Sequence, residues 1–233
     1  MAFAYRVAKL KLFASISATD AKPRNVSGQA MTTVQLQTDR QETNREDYNK
    51  EQNMRKVIAA TNITIDGVYD HTEGLSDSEI HQHYADLLDN ADIILYGRTT
   101  YQLMQYWQTL LTNPSGDKTA DNFAIAIDKI QKIVFSHSLK NTDWDSAKLA
   151  TKSLDDLVRE LKQQPGKDIF VGSRSLIMQL MNLNLIDEYQ LCIQPVVAGK
   201  GSLLFDNVNE RTILKLTKTK KFTNGAIILY YRQ

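Results

Sequence analysis

The distribution of apolar residues divides the chain near Met54. Residues 32–53 are almost entirely Gln, Asn, Thr, Glu, Asp, Lys and Arg, so they cannot bury enough apolar area to offset the entropy lost on ordering. We therefore expect residues 1–53 to be a disordered N-terminal extension and residues 54–233 to form one folded domain. The basic, acid-free first 19 residues fit either a transit-like peptide or an upstream extension of a gene whose natural start is Met54, and we prefer the second.

Beyond Met54, short apolar runs alternate with segments of helical periodicity. The apolar runs predict strands at residues 57–65, 93–96, 133–135, 168–171, 190–197, 213–222 and 226–231. The segments between the first five of these runs, and the segment after the fifth, carry apolar residues every three or four positions, which predicts helices. Asn224-Gly225 is a hairpin turn signal between the last two strands. The pattern predicts a three-layer α/β/α fold whose mixed sheet is mostly parallel, with an antiparallel C-terminal hairpin.

Charge and composition narrow the range of partners. The chain has 28 basic and 27 acidic residues, which gives a net charge of +1 and does not suggest a nucleic-acid or anionic-membrane surface. No apolar stretch approaches the ~20 residues of a membrane span, so we expect a soluble, cytoplasmic protein that acts on a small molecule. The single cysteine, Cys192, excludes a thiolate-rich metal site, and His81 and His83 point in different directions on a helix. We expect no metal site.

Small polar residues follow three of the predicted strands. These loops are Gly97-Arg98-Thr99-Thr100, Ser136-His137-Ser138 and Gly172-Ser173-Arg174-Ser175-Leu176. In open α/β sheets ligands bind beyond the carboxyl ends of the strands, where glycine lets a phosphate approach the backbone and a helix start presents free N–H groups. Hydroxyl groups and arginines add donors and positive charge. We interpret the three loops as a nucleotide or phosphate site, against the alternative of ordinary strand-to-helix turns.

Six short motifs in this order resemble the dihydrofolate-reductase-like superfamily. They are Ile-Asp-Gly, Leu-Tyr-Gly-Arg-Thr-Thr-Tyr, Ile-Val-Phe-Ser, Ile-Phe-Val-Gly-Ser, Leu-Ile-Asp-Glu-Tyr and Pro-Val-Val-Ala-Gly-Lys-Gly-Ser-Leu-Leu-Phe. The chain is most similar to stand-alone relatives of the C-terminal reductase domain of bacterial riboflavin-biosynthesis deaminase/reductases, over residues 54–233. The deaminase half is absent, because the chain lacks the cysteines of its zinc signature.

The resemblance implies a set of NADPH contacts in the three loops. Gly97, Arg98, Thr99 and Thr100 match the segment that holds the adenosine-side phosphates, with Arg98 as the natural contact of the 2′-phosphate. Ser136 and His137 match a strand end near that phosphate, and the loop from Gly172 to Leu176 matches the cover of the pyrophosphate. Ser173 replaces a second glycine of many relatives. A charge-assisted bond from Arg98 is worth roughly 1.5–3 kcal/mol, or about 10- to 150-fold preference for NADPH over NADH.

The resemblance is less specific about substrate and catalysis. It implies that the loop from Asp66 to Gly74 closes over the nicotinamide and that Gln194, Pro195 and Lys200 line the substrate pocket. The carboxylate of true dihydrofolate reductases is missing, because the matching position is His81. Asp77 and Glu79 lie near it, but at a helix start both are explained as cap and dipole partners. The catalytic residue is therefore unknown, with Asp66, Asp77, Glu79 and His81 as candidates.

Two functions from different classes remain. The first is an NADPH-dependent reductase, similar to 5-amino-6-(5-phosphoribosylamino)uracil reductase, which transfers a hydride to a small pterin-, pyrimidine- or flavin-precursor-like substrate. The second is a non-catalytic nucleotide-binding or dimerisation module of the same fold, which fits the missing carboxylate. Relatives of this group are often homodimers, and the apolar, strand-rich tail from Tyr189 to Tyr231 is a candidate interface.

Overall fold

The computed structural model describes residues 55–70, 72, 74, 75 and 77–233. The predicted N-terminal extension lies outside the described residues. The strands are β1 (Val57–Thr64), β2 (Ala91–Gly97), β3 (Gln131–Phe135), β4 (Ala147–Leu149), β5 (Asp168–Val171), β6 (Glu188–Gln194), β7 (Lys215–Lys221) and β8 (Ile227–Arg232). The helices are α1 (Ser78–Asp89), α2 (Arg98–Met104), α3 (Tyr106–Thr112), α4 (Lys118–Lys129), α5 (Leu154–Gln163) and α6 (Arg174–Asn182).

These strands form one sheet in the order β4-β3-β2-β5-β1-β6-β8-β7. The first six in this order are parallel, and β8 runs antiparallel to both of its neighbours. The predicted hairpin forms as expected, with Gly225 at φ +92° and the Phe222 N–H donating to the Ala226 carbonyl at 2.9 Å. The predicted three-layer fold, with a mostly parallel sheet and an antiparallel C-terminal hairpin, is confirmed.

Side chains alternate between the two faces of the sheet and bury both of them. On one face, Val57 and Ala59 of β1 pack with α5 and α6 in a core that includes Val158 and Leu180. On the other face, Ile58 and Ala60 pack with α1, α2 and α4. A parallel strand that is covered on both sides reads as a continuous apolar run, which is why β1 could be predicted from the sequence.

Local sequence signals fix several helix ends. Asp77 caps α1 by accepting from the Glu79 and Ile80 N–H groups at 2.8 and 3.2 Å, and Asp117 caps α4 in the same way. The short strand β4 and the helix α3 were not predicted, because β4 has only three residues and α3 buries none of its side chains. Strand β6 ends at Gln194, three residues before the predicted end at Val197.

Candidate functional site

The three predicted loops lie side by side at one edge of the sheet. They follow β2, β3 and β5, which are consecutive in the order β3-β2-β5. The parallel register pairs Gly97 with Phe135 and Leu95 with Val171, so the loops leave the sheet at nearly the same level. We call residues 97–100, 136–138 and 172–175 the polar rim.

Direct contacts hold the β2 and β5 loops of the polar rim together. The Gly97 N–H donates to Ser173 Oγ at 2.9 Å, and Ser173 is only 1% exposed. A Cβ atom at Gly97 would lie 3.2 Å from Ser175 Oγ, which is closer than ordinary van der Waals contact. Gly97 therefore permits a close approach of the two loops, and the Ser173 hydroxyl links them. The Ser175 hydroxyl remains exposed at the surface.

Arg98 lies across the β2 and β3 loops. Its side chain is exposed and donates from Nη1 to Ser138 Oγ at 2.7 Å, which uses one of the five guanidinium N–H donors. Ser136 Oγ accepts from the N–H groups of Ser138 and Leu139 at 3.2 and 3.0 Å, so it shapes the turn that carries Ser138. His137 is exposed beside this turn.

Two predicted cofactor contacts are engaged within the protein. Arg174 Nε donates to the Leu203 carbonyl at 2.7 Å, and its Nη2 forms an ion pair with Asp206. Leu176 is 3% exposed in the core, and its N–H donates to the Ser173 carbonyl at 3.0 Å. Arg174 therefore joins α6 to the loop after β6, and Arg98 is the rim arginine without an ion pair in the described part of the chain.

A cavity of about 390 Å³ opens beside the polar rim. This volume lies within the ~300–1,000 Å³ of small-molecule pockets. Its lining comes from β1, β2 and β5 on the sheet, from α1, α2 and α4 above it, and from the loop after β1: Ala60, Thr61, Asn62, Tyr69, Asp70, Tyr84, Leu88, Ile94, Tyr96, Thr99, Thr100, Leu103, Met104, Phe123, Ile127, Phe170 and Gly172. Thr99, Thr100 and Gly172 belong to both regions, so the rim and the cavity form one continuous site.

Tyr69 joins the loop after β1 to the polar rim. Its hydroxyl donates to the Gly172 carbonyl at 2.8 Å. Burial raises the pKa of Tyr69, and hydrogen bonds with the Thr100 side chain and the Arg174 backbone act in the opposite direction. Tyr69 is therefore fixed as a neutral phenol where the cavity meets α2 and α6. It was not predicted, although it lies in the loop that the resemblance assigns to nicotinamide closure.

Asn62 and Tyr84 form a second polar group in the cavity. Asn62 Oδ1 accepts from the Tyr84 hydroxyl at 3.3 Å and from Gln194 Nε2 at 3.1 Å. Gln194 is 1% exposed, so it reaches the site through Asn62. Pro195 and Lys200, the other predicted substrate contacts, are exposed and do not line the cavity.

None of the four candidate catalytic residues lines the cavity. Asp66 accepts from the Gly199 and Ala198 N–H groups at 2.7 and 3.2 Å and from the Thr64 hydroxyl, and these hydrogen bonds, that of Thr64 foremost, lower the pKa of Asp66 to about 2. Asp66 therefore ties the loop after β1 to the turn at Gly199.

The other three candidates have structural partners on or near α1. Asp77 is the helix cap described above, and Glu79 Oε2 accepts from the Thr223 N–H and hydroxyl, both at 2.7 Å. These bonds lower the pKa of Glu79. His81 packs against Trp107 and Phe123, and burial lowers its pKa. The interpretation of Asp77 as a cap is confirmed, and no predicted acid reaches the cavity.

The described residues give two further findings. Outside residues 1–54, 71, 73 and 76, no group of three or more His, Cys, Asp or Glu side chains is placed to hold a metal ion. Within the same described residues, no helix is long and apolar enough to cross a membrane.

Comparison with known proteins agrees with this geometry. The family of RibD C-terminal domains matches residues 55–228. YyaP of Bacillus subtilis (strain 168) is 33% identical over 181 residues, covering 76% of this chain and 94% of YyaP. A putative riboflavin biosynthesis protein from Shewanella sp. PV-4 shares the fold with a TM-score of 0.59 and 15% identity, over 76% of this chain and 98% of that one. A pyrimidine reductase-like protein from Corynebacterium diphtheriae gives a TM-score of 0.53 and 18% identity, over 77% and 92%. The predicted resemblance is confirmed.

Proposed function

We propose, from the premise that this chain belongs to the family of RibD C-terminal domains, that it is an NADPH-dependent reductase of a small ring compound. The observation that carries the proposal is the convergence of three strand-end loops on the mouth of one apolar cavity. A charged cofactor and a ring to be reduced need these two environments next to each other. We also propose that the substrate is a small molecule and that the protein is cytoplasmic.

The polar rim has the chemistry to hold the phosphates of NADPH. Gly97 leaves room that a Cβ atom would fill, and the exposed hydroxyls of Ser175 and Ser138 lie on either side of it in the sheet order. Arg98 supplies a permanent positive charge beside Ser138. When bound, NADPH supplies the hydride. The chain's own contribution is to orient the cofactor on the rim and to exclude water from the apolar cavity.

A NADPH titration of the full-length protein by fluorescence tests the cofactor site, with Gly97→Ala and Gly97→Val as graded variants. Added methyl groups at Gly97 press on Ser175 and occupy the space in which a phosphate would approach the backbone, so we expect the affinity for NADPH to fall. We expect NADPH binding that weakens from Gly to Ala to Val. Thermal unfolding of each variant is the control. Equal NADPH affinity in all three proteins, or none in the unmodified chain, contradicts the proposal.

A non-catalytic nucleotide-binding module is the second candidate function. The observation that favours it is the absence of all four candidate catalytic residues from the cavity lining. The two functions differ in turnover, because a module binds NADPH without oxidising it when an acceptor is added.

We also propose a homodimer, since Val197, Ile213 and Leu216 in the tail are 68%, 71% and 48% exposed. Light scattering at twice the chain mass of 26.5 kDa tests that state.

A further inference from the structure

The side chain of Asn62 has one end fixed by the protein and one end towards the cavity. It lies on the same face of β1 as Ala60, which also lines the cavity. Both lone pairs of its carbonyl oxygen are used, by the Tyr84 hydroxyl and by Gln194 Nε2. Within the described part of the chain, Asn62 Nδ2 donates to no group. The two donors therefore orient the amide so that its N–H groups remain for a ligand.

The rest of the cavity lining carries little charge. Among the described lining residues, Asp70 is the one with a charged side chain, and it accepts from the N–H and hydroxyl of Thr72 at 2.8 and 2.7 Å. Among the described residues, no lysine, arginine or histidine lines the cavity. A phosphate or carboxylate in this space would be desolvated without a cation, which is costly. The aromatic and aliphatic side chains suit a flat, uncharged ring.

We infer that the cavity binds an uncharged aromatic carbonyl compound and that Asn62 Nδ2 donates to its carbonyl oxygen. The inference rests on the proposed reductase function and narrows its substrate to rings without a phosphate or carboxylate group. Asn62 is then a substrate-binding residue, and Gln194 and Tyr84 are positioning residues that act through it. A donor at this place stabilises the negative charge that develops on the oxygen during reduction.

The reduction needs a hydride from NADPH and a proton from water. The carbonyl carbon gains a C–H bond from the hydride, and the π electron pair of the C=O bond moves to the oxygen. The oxygen then takes a proton from water; among the described lining residues Asp70 is the one acidic side chain, and it acts as a hydrogen-bond acceptor towards Thr72. The carbonyl compound is reduced to an alcohol, and the dihydronicotinamide is oxidised to the nicotinamide cation.

The first experiment compares two probes that differ in charge. The full-length protein with NADPH is given 4-methylbenzaldehyde or 4-formylbenzoate, and the alcohol product is measured by chromatography. We expect kcat/KM to be at least tenfold higher for the uncharged aldehyde, since none of the described lining residues supplies a cation for the carboxylate. Preference for 4-formylbenzoate, or NADPH binding without turnover of the uncharged aldehyde, overturns the inference and leaves the cofactor site in place.

The second experiment reverses the polarity of Asn62 with an isosteric change. In Asn62→Asp the carboxylate still accepts from Tyr84 and Gln194, but it presents an acceptor to the cavity. We expect kcat/KM for 4-methylbenzaldehyde to fall about 10- to 150-fold, the value of one hydrogen bond to a developing charge. Asn113→Asp is the matched control, since Asn113 is exposed and does not line the cavity. Unchanged turnover in Asn62→Asp overturns the donor role, because it means that the Asn62 carbonyl faces the ligand.

A binding measurement separates this inference from the proposed function. Calorimetric titration of the cofactor-free protein with 4-methylbenzamide, an uncharged carbonyl compound that is not reduced, is compared with Asn62→Asp and Asn62→Ala. We expect both variants to bind at least tenfold more weakly, and Asn62→Ala serves if the aspartate variant does not fold. Equal affinity in all proteins overturns the inference. If NADPH does not bind but the affinity for 4-methylbenzamide still depends on Asn62, the reductase proposal fails and the inferred contact with Asn62 stands.

Discussion

The polar rim and the cavity lie at the same edge of the sheet, yet they differ in almost every physical property. The rim is rich in hydroxyl groups and carries the exposed Arg98, whereas the cavity is lined by rings and aliphatic side chains with few polar atoms. Rim residues come from three strand ends and the few residues that follow each, and cavity residues come from six strands and helices and from the loops after β1 and β5. The difference indicates a ligand set with one charged and one uncharged part.

A substitution that fills the cavity should have the largest effect on activity, because it alters the cavity and leaves the polar rim unchanged. Leu103 lines the cavity and is 38% exposed at its mouth, so Leu103→Trp adds a bulky ring there. Because a misplacement of about 1 Å can cost 10²-fold, we expect kcat/KM for the carbonyl substrate to fall about 100-fold. NADPH affinity should fall less than in Gly97→Val, since the rim is untouched.

Leu111→Trp is the matched control for that substitution. Leu111 is 40% exposed on α3 and does not line the cavity. Steady-state kinetics and a NADPH titration of both variants make the measurement. Equal losses in the two proteins would mean that the cavity is not where the reaction takes place.

The two rim arginines give a smaller, sharper test. Arg98 is exposed and, among the described residues, its side chain donates to the Ser138 hydroxyl alone, whereas Arg174 is already paired with Asp206. A charge-assisted hydrogen bond at an exposed position is at the low end of its range, so Arg98→Ala should lower the NADPH to NADH affinity ratio about tenfold. Arg174→Ala should leave that ratio unchanged. Titrations with both cofactors measure this ratio. A larger change in Arg174→Ala than in Arg98→Ala would mean that the 2′-phosphate binds at the loop after β5 and not at Arg98.

Sequence patterns predicted the rim better than the cavity. The rim could be predicted because glycine and hydroxyl residues follow β2, β3 and β5 directly, and parallel strands bring such loops to one edge. Adjacent placement of the three loops also required the strand order, which the alternation of strands and helices does not specify. The partners of Arg174 lie about 30 positions away, so no local pattern could show that this guanidinium is already engaged.

The cavity lining was missed for a different reason. Its members are apolar residues on amphipathic helices, and periodicity alone cannot distinguish a side chain that faces a cavity from one that fills the core. One signal was available: Asn62 is a polar residue within the apolar run of β1, and a half-buried amide in a sheet core needs partners. Its partners Tyr84 and Gln194 lie 22 and 132 positions away, so the sequence could not name them.

Substitution of Asp66 should have the smallest effect. It distinguishes a role in holding the loop after β1 from a role in the reaction. Its pKa of about 2 is lower than the ordinary ~3.9 of an aspartate, because the folded protein donates hydrogen bonds to the carboxylate. This stabilisation is fully present above about pH 4 and is lost as the pH falls through 2. Asp66→Asn should therefore unfold at a lower temperature than the unmodified protein at pH 7, with a difference that narrows towards pH 2. Because Asp66 does not line the cavity, kcat should not change. Reduced kcat with an unchanged unfolding temperature would instead place this carboxylate in the reaction.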